Sequence, residues 1–371
     1  MSRSSFLLVI CVLLLYALGL LMIFNTTAAS ALDRSLTSAT HQAFFKQLID
    51  GGIALIFGLV VYWYGFERLL QNSFIFLIGA TLFLVLVFVP KIGMEINGAK
   101  RWIQFFGVSF QPSEFAKYLI PICFLKSCLS KKGMSFKDLV FSLLPLAPPL
   151  ILILIEPDNG TTFIIGIAFI MLFNLCRIKW NYWVIPVLCV LIVGATVAYR
   201  MPHVPDRFRV YMHPELDLLG KGHQPHQAKI AAGSGKIWGR GLGESLQKLN
   251  YLPEARSDYI AAIYAEEFGF MGMLGMIILY MLIAYNGFRI AFSTPDKRGF
   301  YLASLLTFLL SFQAFLNLGV VSTLLPSKGT TLPFFSLGGT SLIANAAALF
   351  LLINIEVKTL ESRSYEPIRK V

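Results

Sequence analysis

The segment Leu252–Tyr259 places the carboxylate of Asp258 at the start of a predicted helix. Chemistry on a hydroxyl group requires a residue of this type. A carboxylate held at the outer membrane surface can act as a general base, so Asp258 could take the proton of a sugar hydroxyl. Aspartate is also a preferred N-cap residue, which gives Asp258 a second, purely structural interpretation. Glu266 and Glu267 follow on the same predicted helix and would be costly to place in lipid.

A second polar segment, Asn97–Lys117, carries charges of both signs. Arg101 has the planar guanidinium that can donate two hydrogen bonds to a phosphate at once. Pro112 marks the first turn of a predicted helix, where the negative charge of Glu114 is favoured. Glu114 and Lys117 are three residues apart, so they share one face of that helix. They either line a substrate cavity or neutralise each other so that a short helix can enter the membrane.

Two further segments, Glu156–Gly160 and Leu325–Ser341, are rich in turn residues. Asp158 lies in a turn of ordinary composition, although the two carboxylates of this turn, Glu156 and Asp158, could also hold a divalent cation or a sugar hydroxyl. The second segment places Lys328 and Ser336 among prolines and glycines. This composition predicts a re-entrant or broken segment, which is tolerated at membrane depth only beside protein or a wet cavity. A purely structural interpretation of Lys328 is also open, in which its long side chain only carries the charged amine to the membrane surface.

Long apolar runs must position these polar segments. Hydrophobic residues make up 56% of the chain and charged residues 14%, and the mean hydropathy is +0.70, which excludes a soluble globular protein. We predict an all-α integral membrane protein of about ten transmembrane helices, forming a single polytopic domain over residues 1–371. Pro145, Pro148 and Pro149 predict a kink in the fifth span. The predicted spans are 6–24, 47–66, 73–90, 112–128, 138–155, 161–176, 183–199, 265–288, 300–324 and 338–355.

The positions of the basic residues predict the orientation. Lys and Arg are more frequent in the segments that an inside N-terminus would leave in the cytoplasm than in the short outside loops. Both termini are therefore expected in the cytoplasm, and the long loop at about 200–257 outside it. A loop of this length is uncommon unless it is functional. The net charge of +11 is explained by these flanking residues, so no nucleic acid partner is expected.

The polar segments, taken in chain order, resemble the SEDS family (shape, elongation, division and sporulation proteins). The resemblance covers residues 90–355. Lys328 in Leu-Pro-Ser-Lys-Gly and the triplet Gln247–Leu249 are more similar to the FtsW cell-division branch than to the RodA elongation branch. The motifs that carry the resemblance are Asn97–Ile103, Phe110–Lys117, Glu156–Gly160, Lys236–Glu267 and Asn317–Ser341.

The resemblance implies a ten-helix peptidoglycan glycosyltransferase that polymerises lipid II into glycan strands during cell division. It also implies a location in the bacterial inner membrane at the division septum. The partners would be a class B penicillin-binding protein (a transpeptidase) and other division-complex membrane proteins. No organic cofactor is expected.

Family residues carry over to this sequence one by one. The family's essential aspartate falls on Asp258, and the charged residues of its QPSE-x-x-K and RW motifs fall on Glu114, Lys117 and Arg101. Arg101, Glu114, Lys117, Lys328 and Ser336 are expected to bind substrate. A divalent cation, Mg²⁺ or Mn²⁺, could be held by Asp158 or Asp258.

Two functions of other classes remain open from the sequence. Intramembrane charges and broken helices also occur in transporters, so a lipid II flippase is one alternative. It would need Asp258 for lipid movement rather than for polymer formation. A non-catalytic division scaffold is the other alternative, and it would tolerate charge substitutions in all the polar segments.

Overall fold

The computed structural model is a helical bundle with one small sheet. It describes residues 2–33, 41–96, 99–105, 108–131, 133–188, 217, 220, 222–249, 252–326 and 329–365. The helices are α1 (Arg3–Asp33), α2 (Gln42–Tyr64), α3 (Phe66–Leu86), α4 (Pro112–Leu129), α5 (Phe136–Leu143), α6 (Ala147–Ile155), α7 (Asn159–Leu175), α8 (180–188), α9 (His223–Ser234), α10 (Ile260–Ser293), α11 (Lys297–Val321) and α12 (Gly339–Tyr365). The strands are β1 (Gly93–Ile96), β2 (Ala99–Phe105) and β3 (Val108–Phe110).

The described residues include seven helical stretches long and apolar enough to cross a membrane, of which one is α5, the following 3₁₀ turn and α6 taken together, and α7 is a shorter apolar helix. Every predicted span overlaps a described helix, and the span at 183–199 is described only as far as residue 188. Large apolar side chains face outward from these helices, for example Ile56 (65% exposed), Ile75 (68%) and Phe141 (69%). Such exposure suits lipid, which solvates apolar side chains as well as a protein core does. The prediction of a multi-pass membrane protein is confirmed, and the count of ten stays a prediction.

The predicted interruption of the fifth span is present. Helix α5 ends at Leu143, a 3₁₀ turn covers Leu144–Leu146, and α6 begins at Ala147. Proline has no backbone N–H to donate and its ring clashes with the preceding turn. Pro145 lies in the 3₁₀ turn, and Pro148 and Pro149 lie in the first turn of α6, where the missing donors cost least.

The prediction of an all-α fold is wrong in one place. Strands β1, β2 and β3 form an antiparallel sheet in that order, with Ile96 opposite Ala99 and Phe105 opposite Val108. The dipeptides Asn97-Gly98 and Phe106-Gly107 stand at the two connections, and Asn-Gly is a strong hairpin signal. The register shifts between Met94 and Glu95, which lie opposite Trp102 and Lys100, so Arg101 is the extra residue of a β-bulge in β2. A bulge reorients the side chain of the strand, and the Arg101 guanidinium donates to the backbone at Glu156 and Pro157.

Helix α10 is broken at Gly269, whose φ of 66° and ψ of −163° are not helical. A break leaves N–H and C=O groups without helical partners, and inside a membrane protein these groups must bond elsewhere. Here the segment 235–241 of the long loop lies against the break and bonds to both of its sides. The four bonds join Phe270 N to Lys236 O (2.9 Å), Met271 N to Ile237 O (3.1 Å), Arg240 N to Glu266 O (3.0 Å) and Gly241 N to Glu267 O (3.0 Å).

Buried carboxylates fasten the same loop to α10. Glu266 and Glu267 are each 1% exposed. Glu266 accepts hydrogen bonds from the Ser245 hydroxyl (2.5 Å) and from the Leu246 N–H (3.2 Å). Glu267 pairs with buried Lys248, whose Nζ lies 2.9 Å from Oε1. The two glutamates that would be costly in lipid are therefore held inside protein, where they anchor the loop that leads to Asp258.

The close approach at the break leads to a first prediction. A side-chain carbon at Gly239 would collide with the Glu267 carbonyl oxygen, and φ at this position is +82°. Gly239→Ala should therefore separate the loop from α10 and lower the unfolding temperature strongly. Gly243→Ala is the matched control, because φ is +89° there but the space around the added carbon is open. The control should cost only the left-handed strain of about 1–2 kcal/mol. Thermal unfolding of the purified variants tests the difference, and equal losses would contradict it.

Candidate active site

Asp258 lies in the turn that precedes α10. Asn317 of α11 donates from Nδ2 to the Asp258 carbonyl oxygen (2.8 Å) and to the Thr330 carbonyl oxygen (2.6 Å). This side chain joins the turn to the segment after residue 329. A carbon added at Gly329 would lie 3.4 Å from Asp258 Oδ2, so the backbone of that segment passes beside the carboxylate.

The interpretation of Asp258 as the cap of α10 is wrong. The helix begins at Ile260, its N-cap position is occupied by Tyr259, and the described residues provide no side-chain hydrogen bond to this cap. Asp258 precedes the cap position, so its carboxylate is not committed to satisfying the first N–H groups of the helix. It remains available for chemistry.

The surroundings of Asp258 favour its protonated form. Its pKa is raised to about 7, first by burial and then by the negative charge of Glu254. The guanidinium of Arg101 opposes the shift, and the carboxylates of Glu114 and Asp158 add to it. The interaction between two charges weakens with the distance between them, so charges that affect the pKa of Asp258 lie near it. The fold therefore brings Arg101, Glu114, Asp158 and Asp258, from four separate parts of the chain, to one site.

Arg101 links the sheet to the turn between α6 and α7. Its Nε donates to the Glu156 carbonyl oxygen (3.1 Å) and its Nη2 donates to the Pro157 carbonyl oxygen (2.6 Å). These bonds set the direction of the guanidinium. Its positive charge is held at the site by strand geometry on one side and by the turn on the other.

Asp158 is bonded to both of its neighbouring helices. Its Oδ1 accepts the Thr161 N–H (3.2 Å) and so caps α7, while its Oδ2 accepts the Ser113 hydroxyl (2.8 Å) and Gln111 Nε2 (3.2 Å). The structural interpretation of this turn is therefore correct, and Asp158 also joins α7 to the start of α4. The negative charge of Asp158 still contributes to the raised pKa of Asp258.

Glu156 lies only two residues before Asp158, but its carboxyl group has different surroundings. It is fully buried, and neither carboxyl oxygen has a hydrogen-bond partner among the described residues. Burial raises its pKa to about 8, the charge of Asp158 adds to the shift, and Arg101 opposes it. At neutral pH this side chain is therefore mostly uncharged.

A second prediction follows for Glu156. Glutamine has nearly the shape of a protonated glutamate, so Glu156→Gln should leave activity at pH 6, and stability near pH 4.5, close to those of the wild type. The folded pKa lies above the ordinary value, so the stabilisation by the wild-type side chain is complete below about pH 4.5 and is lost as pH rises through 8. Thermal unfolding measured from pH 5 to pH 9 should show that the stability of the variant rises relative to that of the wild type as the pH increases. A constant difference across this range would contradict the prediction.

The predicted pairing of Glu114 and Lys117 is present inside the protein. Lys117 is 1% exposed, and its Nζ donates to Glu114 Oε2 (2.7 Å) and to Gln313 Oε1 (2.7 Å). Gln313 in turn donates from Nε2 to the Thr331 carbonyl oxygen (2.9 Å). The charged pair thus ties α4 to α11 and to the segment that passes beside Asp258.

The remaining predicted residues belong to the segment between α11 and α12. Lys328 lies outside the described residues. Ser336 is buried, and its hydroxyl oxygen accepts the Leu332 N–H (2.8 Å). Its carbonyl oxygen accepts a bond from Gln47 Nε2 of α2 (3.2 Å). These bonds hold the irregular segment in place, and substrate contact by Ser336 stays a prediction.

Two residues of the site escaped the sequence analysis, Gln313 and Asn317. They lie four residues apart in the apolar helix α11, so they share one of its faces. Polar side chains within a span usually face the bundle interior, and this signal could have identified them.

The arrangement is suited to moving a proton from a hydroxyl group beside a site of negative charge. A half-buried carboxylate with a pKa of about 7 is a base matched to neutral pH. Arg101 provides a fixed positive charge, which stabilises negative charge that develops in a reaction.

Comparison with known proteins shows related sequences over nearly the whole chain. A family model described as "Cell cycle protein" (FTSW_RODA_SPOVE) matches residues 5–361. The probable peptidoglycan glycosyltransferase FtsW of Nitrosomonas europaea is 37% identical, over 94% of this chain and 92% of its own. Stage V sporulation protein E of Bacillus subtilis is 35% identical, over 95% and 97%.

Solved structures show the same fold. A chain of a peptidoglycan synthase complex, in which polymerization and crosslinking are structurally coordinated, superposes with a TM-score of 0.77 at 25% identity. The match covers 95% of this chain and 97% of that one. The rod shape determining protein RodA of Thermus thermophilus superposes with a TM-score of 0.68 at 24% identity, over 95% and 96% of the two chains.

Proposed function

The chain belongs to the family of FtsW, RodA and SpoVE cell cycle proteins, the SEDS family, and we propose that it is a peptidoglycan glycosyltransferase of cell division. Its substrate is the lipid-linked disaccharide lipid II, which it polymerises into glycan strands. The observation that carries this proposal is the partly buried carboxylate of Asp258, whose pKa is about 7 and which lies beside Gly329 and within the field of Arg101.

The reaction joins two sugars. A hydroxyl oxygen of the acceptor sugar attacks the anomeric carbon of the donor sugar, and Asp258 accepts the hydroxyl proton. The bond between the anomeric carbon and the diphosphate oxygen breaks, and its electron pair leaves with the diphosphate. Arg101 stabilises the leaving group, and Lys328 of the adjacent segment is proposed to assist it. Contact of Lys117 with the substrate stays a prediction, because in this structure its amine is buried against Glu114 and Gln313.

A divalent cation, Mg²⁺ or Mn²⁺, is part of the proposal in a limited form. Among the described residues no group of three His, Cys, Asp or Glu side chains could hold an ion alone. Mg²⁺ often binds one or two carboxylates together with substrate phosphates. Asp258 or Asp158 would therefore hold an ion only when the diphosphate supplies the other oxygens. The ion would add positive charge beside the leaving group.

The partners and the location complete the proposal. A class B penicillin-binding protein would cross-link the new strands, as the structural relative in a synthase complex suggests, and other division-complex membrane proteins would bind nearby. The chain would lie in the inner membrane at the septum as a ten-span protein. The excess of basic residues in the proposed inside segments supports cytoplasmic termini and an outside loop at 200–257.

Polymerisation of labelled lipid II by the purified full-length chain, with its penicillin-binding partner, tests the function. Glycan strands from the wild type are expected. The second candidate is a lipid II flippase, which the buried Glu114–Lys117 pair and the broken helix α10 favour. Movement of lipid II across vesicles without polymer would support the flippase. An assay with neither product, from folded protein that binds its partner, would leave the scaffold function.

A further inference from the structure

The break in α10 marks the outer edge of the membrane. The helix is buried from Ile260 to Glu267, whereas Phe270 is 59% exposed and Met271 44%. No ionisable residue occurs between 270 and 288 apart from tyrosines, and Arg289 follows. This stretch is about 28 Å long as a helix, close to the thickness of the hydrocarbon layer. Its outer end, at Gly269, therefore lies near the boundary between lipid tails and headgroups.

The loop segment 236–240 is fixed at that boundary. The carbonyl oxygens of Lys236 and Ile237 accept the N–H groups of Phe270 and Met271, the first lipid-exposed residues of the helix. At this level Ile237 is 55% exposed and Trp238 is 79% exposed. The backbone bonds thus place these exposed apolar residues beside the exposed Phe270 and Met271 of α10.

We propose that residues 236–240, which we term the interfacial turn, bind the outer surface of the phospholipid bilayer. Trp238 and Ile237 lie at the boundary between headgroups and tails, where tryptophan is enriched because its ring is both apolar and polar. Lys236 is exposed beside them and meets lipid phosphates. Arg240 is 35% exposed and pairs with Glu266 at 3.5 Å, so it faces the protein side of the turn.

Binding of this kind gives the loop a third support. The loop is already held by the break in α10 and by the glutamates 266 and 267. It ends in the turn that contains Asp258. A bilayer contact at Trp238 fixes the position of the whole loop relative to the headgroups, where the diphosphate of a lipid-linked substrate lies. The contact itself does not depend on the proposed reaction.

Tryptophan fluorescence in nanodiscs tests the proposal. The full-length chain is placed in phosphatidylethanolamine and phosphatidylglycerol that carry a spin label either near the headgroup or deep in the tails. The signal of Trp238 is the difference between the wild type and Trp238→Phe, because the chain has five tryptophans. We expect this signal to be quenched several-fold more by the shallow label than by the deep one, and to be shielded from aqueous iodide.

Trp63→Phe is the matched control, because Trp63 is also 79% exposed and lies near the end of the spanning helix α2. Its difference signal reports how strongly a lipid-facing tryptophan is quenched in the same discs. Quenching of Trp238 by iodide but not by either lipid label would overturn the proposal. Shielding that arises only after the penicillin-binding protein is added would also overturn it and would assign the turn to that partner.

Discussion

Asp258→Asn is expected to reduce glycan polymerisation by about 10²–10⁴-fold, the contribution of a general base. The variant keeps the size of the side chain but cannot accept the hydroxyl proton. In the wild type the reactive form is the carboxylate, and its pKa is about 7. The polymerisation rate of the wild type should therefore rise with pH and level off above 7, and the residual rate of the variant should lack this rise.

A measurement of stability distinguishes the loss of the catalytic base in Asp258→Asn from unfolding of the variant. The folded pKa of Asp258 lies above its ordinary value of 3.8, so its contribution to stability is complete below that pH and is lost as pH rises through 7. At pH 8 the asparagine variant should be at least as stable as the wild type. Full activity in a folded Asp258→Asn protein would remove the base from the mechanism.

A substitution at the neighbouring residue Glu254 tests the origin of the pH dependence of the polymerisation rate. The charge of Glu254 is the second cause of the raised pKa of Asp258. Glu254→Gln should keep the polymerisation rate at high pH and move the midpoint of the pH profile to lower values. The shift should be small, because Glu254 is exposed and water screens its charge. A midpoint that moves to higher pH would assign the profile to a different group.

Lys117→Met is expected to have the largest effect on stability, a loss of about 3–5 kcal/mol, because it leaves the charge of Glu114 buried without its partner. Glu114→Gln should cost a similar amount for the opposite reason. The double variant Glu114→Gln, Lys117→Met should be more stable than either single variant, since no isolated charge remains. Unfolding of the purified proteins in detergent, monitored by denaturant titration, measures these differences.

The exposed pair Lys131–Asp138 provides the matched control. Its atoms are 2.6 Å apart, but its side chains are 34% and 38% exposed. Lys131→Met should cost far less than Lys117→Met, because water already screens this pair. Equal losses from Lys117→Met and Lys131→Met would show that burial of the Glu114–Lys117 pair has no energetic consequence.

The site was only partly predictable. Asp258, Arg101, Glu114 and Asp158 could be named from the sequence, since each lies in a polar segment between apolar runs and the segments resemble a family. The helix at the fourth span, with Pro112 in its first turn, follows from local signals in the same way. The partners of these residues could not be named. Gln313 is 196 positions from Lys117, and no local pattern joins them.

The sequence by itself determined the spanning helices and their interruption at Pro145. These features are local, because a backbone in lipid must bond within its own helix and proline removes such a bond wherever it occurs. Only the tertiary structure decided three other features. They are the small sheet, the hydrogen bonds between Arg101 and the turn at Glu156, and the packing of the loop against the break at Gly269. Each of these joins residues far apart in the chain. Which distant groups meet depends on how the helices pack together, and this packing is a property of the whole fold.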